Sequence, residues 1–105
     1  MIKGDNIPMS PAKGEGLTVG FHFTWYHKHD ELLRVLPILE KALAPFMALP
    51  HQGKMFVLSG QYYERAYKDD LVKLRNMIVQ HDPKGKFRNE FIDKYIFGKN
   101  ELAKL

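Results

Sequence analysis

Two short stretches carry side chains able to do chemistry. His22 sits inside the aromatic run Phe21-His22-Phe23-Thr24-Trp25, and His51-Gln52-Gly53-Lys54 forms a polar insertion in an apolar segment. An imidazole near neutrality takes or gives a proton, so His22 is a candidate base or hydroxyl-orienting group. A histidine in an aromatic strand needs a hydrogen-bond partner or a functional reason, and a satisfied, half-buried histidine is the plainer reading. Gly53 lets backbone approach a ligand closely. Lys54, between Gly53 and Met55-Phe56, is expected to be partly desolvated. It either snorkels to water or aims a cation at a buried anion, and both readings stand.

The remaining histidines suggest less. His27 and His29 point to one side of an extended chain, a geometry able to chelate a divalent ion. No carboxylate completes a known ligand spacing and HExxH is absent, so solvated loop histidines are expected and no metal. The stretch 82–89, DPKGKFRN, reads as a helix-to-helix connector with an aromatic anchor.

Regular elements must position these groups. Residues 17–26, LTVGFHFTWY, are rich in β-branched and aromatic residues and predict a strand. Its faces are Val19, Phe21, Phe23, Trp25 and Thr18, Gly20, His22, Thr24, Tyr26, so His22 lies between small neighbours. Asp30 is a candidate N-cap for a helix carrying Leu32, Val35, Leu36, Leu39 and Leu43, with Pro37 either kinking or starting it and Pro45 ending it. Residues 47–58 read as a second extended segment pairing with 17–26. Ser59 to Tyr67 fits one helical turn. A second helix runs from Asp69 through Leu71, Leu74 and Ile78 to the His81-Asp82-Pro83 break, and Asn89 caps a third with Phe91, Ile92, Tyr95 and Ile96. The expected fold is α+β: a small antiparallel sheet portion with two to three packed helices. The expected organisation is an irregular arm over 1–16, one domain fragment over 17–97 and a flexible tail over 98–105. Two strands rarely make a stable sheet alone, so the chain looks short of strands.

At 105 residues there is room for one small domain. Hydrophobic residues at 45% argue against wholesale disorder. The absence of cysteine excludes disulfides, thiolate metal sites and cysteine nucleophiles, and fits a reducing compartment. No apolar run is long enough to span a bilayer and the N-terminus lacks a signal-type apolar stretch, so a cytoplasmic protein is expected. The net charge of +4 is spread from Lys3 to Lys104, a solvated surface rather than a nucleic-acid stripe. No GxGxxG or GxxxxGK[ST] string occurs, so a nucleotide-phosphate loop is missing.

Three strings in order, FHFTW (21–25), ALAPFMALPHQGKMF (42–56) and HDPKGKFRNEFIDKYIF (81–97), together resemble a family. They are similar to the C-terminal, substrate or cap side of FAD-linked alditol (xylitol) oxidases and D-arabinono-1,4-lactone oxidases, within the vanillyl-alcohol-oxidase-like flavoproteins. The resemblance covers about residues 5–97. It implies a partial cap domain that works with a flavin-binding domain, in cis or in trans. It implies FAD as cofactor, not held tightly by this chain alone, and a polyol or sugar-lactone substrate. The reaction implied is hydride transfer from a substrate C–H to flavin, with oxygen reduced to hydrogen peroxide. His22 matches the family's active-site histidine, implying a catalytic and substrate-binding role. Lys54 matches the lysine of its His-Trp-Gly-Lys motif, implying catalytic, substrate and cofactor contacts. His51 and Gly53 match cofactor-side positions of that motif.

The sequence departs from the family in three ways. Gln52 stands where the family has Trp. The family's acidic-x-basic substrate pair falls upstream of Met1, and the flavin-binding half is missing. The alternative expectation is a stand-alone, non-catalytic remnant that self-associates, most simply as a homodimer, or binds a partner.

Overall fold

The computed structural model describes residues 1–99, so most of the expected tail over 98–105 lies outside the described residues. The chain divides into two units, Met1–Val57 and a second beginning at Leu58. The fold is α+β, with one two-stranded antiparallel sheet and helical segments among the described residues.

The first unit opens with a hook. β1 (Ile2–Lys3) pairs with β2 (Leu17–Thr18), Ile2 opposite Thr18 and Lys3 opposite Leu17. Gly4 N–H donates to the Gly16 carbonyl at 2.9 Å, and Gly14 N–H to the Asp5 carbonyl at 2.9 Å. The approach demands glycine at position 4, where a Cβ would lie 2.1 Å from the Gly14 carbonyl oxygen. The Asp5 carboxylate accepts from the Ser10 hydroxyl at 2.6 Å and the Ile7 N–H at 2.9 Å. These bonds favour the ionised form and hold its carboxyl below the usual range.

The strand expected over 17–26 is paired only at Leu17 and Thr18. β1 is two residues long and offers no ladder beyond them. The expected pairing of 47–58 with 17–26 is absent among the described residues, because 47–58 is not a strand. Pro50 interrupts its donors, the 51–54 turn breaks its line, and Val57 N–H donates instead to Glu40 at 2.7 Å.

α1 (His29–Leu43) starts before Asp30, which lies in its first turn with Glu31 rather than at the cap. Carboxylates there favour the positive end of the helix. Pro37 lies inside the helix without starting it, and a 3₁₀ turn, Ala44–Phe46, places Pro45 just beyond its end. Leu36 is buried, Leu32, Leu39 and Leu43 are half-buried, and Val35 and Ile38 stay exposed. Among the first unit's residues only Ala12 and Leu36 are buried, so most of its apolar surface remains open.

The second unit has a denser core. α2 (Gly60–His81) is capped by the Ser59 side chain, which accepts from Tyr62 N–H at 3.1 Å. Lys68, at φ 40° and ψ −114°, breaks it in two. The later half therefore begins at Asp69, where the apolar spacing predicts it. The earlier half is longer than the single turn expected, because Ser59 caps it and Tyr63 and Tyr67 anchor it. Tyr63 and Leu71 are fully buried, with Tyr67, Tyr95 and Ile96 around them. The Tyr63 ring lies 4.7 Å from Tyr67 and 5.3 Å from Tyr95, tilted as aromatic quadrupoles prefer. Burial pushes the Tyr63 phenol well above its ordinary pKa.

A π-helical turn, Ile92–Ile96, supplies Tyr95 and Ile96 to this core. The Asn89 side chain accepts from Ile92 N–H at 2.9 Å, the expected cap. At Gly60 a Cβ would sit 2.9 Å from the Lys94 carbonyl, so glycine permits α2 and the turn to meet. Arg75 donates to the Ile96 carbonyl and pairs with Glu64, bracing both parts of α2 against the turn.

Two outcomes follow from local strain and burial. Lys68 occupies a backbone region that suits glycine, which costs a residue with a Cβ roughly 1–3 kcal/mol. Lys68→Gly, after the entropy loss of glycine, raises stability by about 1 kcal/mol, seen as a Tm rise of ~4–8 °C; a fall in Tm contradicts the strain. Burial raises the Glu40 pKa above 4.5, against the Val57 bond that lowers it. A raised acid favours the folded state below its unfolded pKa and loses that advantage as pH rises through the folded value. Glu40→Gln keeps the Val57 acceptor and removes the charge. Thermal melts of the variant therefore match or exceed wild type at pH 7, and the gap closes below about pH 4.

Candidate functional site

His22 lies in the extended run after β2. Alternation puts it on the face with Gly20 and Thr24, away from Phe21, Phe23 and Trp25. The Phe23 and Trp25 rings stack at 5.2 Å with planes 10° apart. Stacked neighbours two residues apart lie on one side of the run. His22 is exposed, so the half-buried histidine of the plainer reading is not what the chain shows.

The second group is a tight turn. Lys54 N–H donates to the His51 carbonyl at 3.0 Å, and Gly53 N–H donates to His51 Nδ1 at 3.0 Å. A donor bonded to Nδ1 places the neutral ring's proton on Nε2. Nε2–H is thereby left as the outward donor. A Cβ at position 53 would lie 3.2 Å from His51 Cε1, so glycine lets the imidazole fold over its own turn. The Gln52 side-chain amide donates to the Met9 carbonyl at 3.4 Å, tethering the turn to the hook.

Lys54 is exposed, which corrects the expected partial desolvation. Its apolar neighbour Met55 is itself exposed and builds no wall around the ammonium. The structure brings His51, Gly53 and Lys54 together in one turn. Among the described residues no hydrogen bond joins His22 to them. The turn therefore offers one ammonium and one imidazole N–H to an anionic partner, while His22 offers a separate proton acceptor.

Sequence reasoning missed a third feature in the second unit. Met77, Ile78, His81, Phe87, Arg88 and Ile92 line an open, apolar depression of about 550 Å³. Its rim is held by Asp82, whose carboxylate accepts from Lys86 N–H at 2.8 Å and Phe87 N–H at 2.9 Å. Arg88 pairs with Asp93 and lies 3.9 Å over the Phe97 ring. The Asp82-Pro83 pair was the available signal, since an aspartate before a turn caps the amides that follow it. Among the described residues no cluster of three or more metal-ligating side chains forms, and no helix is long and apolar enough to cross a membrane.

The family model for D-arabinono-1,4-lactone oxidase matches residues 1–95, nearly the whole chain. The chain belongs to the D-arabinono-1,4-lactone oxidase family. It is also 36% identical over 97 residues to an alditol oxidase from Streptomyces sp.. That match covers 92% of this chain and 23% of the relative. The chain thus spans about a quarter of the length of the curated relative it matches. Both candidate groups of this lactone-oxidase-family chain, His22 and the 51–54 turn, fall inside the matched residues.

The turn geometry makes a spectroscopic prediction. Long-range ¹H–¹⁵N NMR will find neutral His51 as the Nε2–H tautomer. Gly53→Ala will push the ring off the turn and return a mixture of tautomers. An unchanged spectrum in the variant contradicts the Gly53–His51 bond.

Proposed function

We propose that this chain supplies the substrate side of an FAD-linked oxidase of sugar alcohols or aldonolactones. Family membership across residues 1–95 carries the reading. The donor set supports it: the 51–54 turn carries an exposed lysine and an exposed histidine whose Nδ1 is already engaged, which suits a group that gains negative charge. The sequence has no glycine-rich phosphate loop, so these residues fit one side of a flavin without enclosing the dinucleotide. His51, Gly53 and Lys54 are the residues that would meet FAD.

When bound, FAD supplies the hydride acceptor and its reoxidation by oxygen gives hydrogen peroxide. This chain's own residues do the rest of the proposed work. His22 takes the proton of the substrate hydroxyl or orients that hydroxyl. The Lys54 ammonium stabilises the alkoxide charge that develops as the proton leaves. The flavin-bearing half reaches the chain in cis or in trans.

A chimera tests the reading. The matched quarter of the Streptomyces alditol oxidase is replaced by this chain, and peroxide is followed with xylitol, sorbitol and sugar lactones. The chimera is expected to turn over at least one of them. His22→Ala is expected to lower kcat by ~10²–10⁴ with flavin content unchanged, and Lys54→Met to lower it by ~10²–10³ per bound flavin. A flavin-loaded chimera silent on every substrate ends the catalytic reading. The chain alone, mixed with FAD and desalted, is expected to come through colourless; a yellow, active product overturns the need for a second half.

A further inference from the structure

His51 closes the 51–54 turn twice. Its carbonyl accepts from Lys54 N–H at 3.0 Å, the bond of a β-turn. Its Nδ1 accepts from Gly53 N–H, two residues on, at 3.0 Å. Asparagine and aspartate make that second kind of bond through a side-chain oxygen. An amide oxygen accepts whatever the pH, whereas Nδ1 accepts only while the imidazole is neutral, because in the imidazolium both ring nitrogens are donors. On protonation two N–H groups would face each other across the same gap, so the ring has to leave Gly53.

The surroundings let it leave. A Cβ at position 53 would lie 3.2 Å from His51 Cε1 and 3.4 Å from Nδ1, so the ring rests on bare backbone and displaces no side chain as it swings away. His51, Gln52, Gly53 and Lys54 are all exposed, and water replaces the lost partner. Lys54 is the other charged side chain of the turn. The hook that Gln52 reaches through Met9 carries Lys3, Asp5, Lys13 and Glu15, and the Asp5 carboxylate is held by Ser10 and the Ile7 N–H. Among the described residues no ion pair ties any of these groups to His51. The Gly53 bond is therefore the contact that the ring's charge decides.

We propose that the 51–54 turn is a proton-operated latch, closed by neutral His51 and opened by the imidazolium. Imidazoles change charge between about pH 5 and 8, the range in which the latch works. Closed, the turn carries one cation and two bonds to His51. Open, it carries two cations and has lost the Gly53 bond. The latch stands on the turn's own bonds. Its effect on turnover rests on the substrate-side reading: an open turn no longer holds the Lys54 ammonium where alkoxide charge develops.

NMR on the chain alone tests the latch. The coupling between the Gly53 amide nitrogen and His51 Nδ1 is expected at about pH 8 and lost at about pH 5, with the Gly53 amide shift following the ring's own titration. His51→Asn keeps an acceptor for Gly53 N–H, so its Gly53 shift is expected to stay flat across that range. His51→Phe has no acceptor and is expected to show the acid position of Gly53 throughout. The Gly4 and Gly14 amides, bonded within the hook, are expected to hold still. A coupling that survives ring protonation overturns the latch, as does a Gly53 shift that still titrates in His51→Asn. Movement shared by Gly4 and Gly14 is unfolding and also overturns it. In the chimera, the acid limb of kcat/KM is expected to be one proton less steep with His51→Asn, a slope lower by about tenfold per pH unit. Equal slopes beside an intact NMR latch remove the substrate-side placing of Lys54 and keep the latch; a failed NMR latch beside a working chimera does the reverse.

Discussion

A backbone amide and a carbonyl that leave water need partners, and residues 19–25 have none within the described chain. Much of the first unit follows from that constraint. The sheet stops where β1 runs out, after Ile2 and Lys3. The aromatic side chains beyond it stay partly in solvent, and Phe23 and Trp25 stack on each other. α1 keeps Val35 and Ile38 exposed beside a single buried Leu36. What order the unit has comes from polar ties: the Gly4–Gly16 and Asp5–Gly14 bonds of the hook, Gln52 on Met9, and Glu40 on Val57.

The second unit holds the denser core among the described residues. Three tyrosines, Leu71 and Ile96 bury against one another, and the helix breaks at Lys68 without losing that cluster. Each end has a partner: Ser59 before α2, Asp82 after it, and Asn89 before the π turn. Arg75 and Arg88 each bridge two places in the chain through carboxylates and, for Arg75, a carbonyl. The contrast locates the family chain's unmet demand in the first unit, where His22 and the 51–54 turn also lie.

Legibility divides along the same line. Short-range signals were readable: the α1 stripe, the restart of α2 at Asp69, the Asn89 cap and the break at His81-Asp82-Pro83 depend on spacings of a few residues. The pairing of 47–58 with 17–26 was misread because strand identity depends on a partner that sequence pattern does not supply. Gln52's tie to Met9 and Glu40's to Val57 join residues far apart in sequence, and no motif announces them. The residue types of the candidate site were legible as chemistry. The exposure of Lys54 was not, because flanking Met55 and Phe56 say nothing about whether another layer covers them.

By itself, the sequence determined the α+β class, the family, the restart of α2 at Asp69, the Asn89 cap and the residue types at positions 22 and 51–54. Those are consequences of side-chain identity and local backbone preference. Only the tertiary structure decided that the predicted strand has no neighbour past Thr18, that Gly53 folds His51 over its own turn, and that Lys68 splits α2. Each of those depends on whether some other segment arrives to fill a hydrogen bond or a contact, which local preference does not encode.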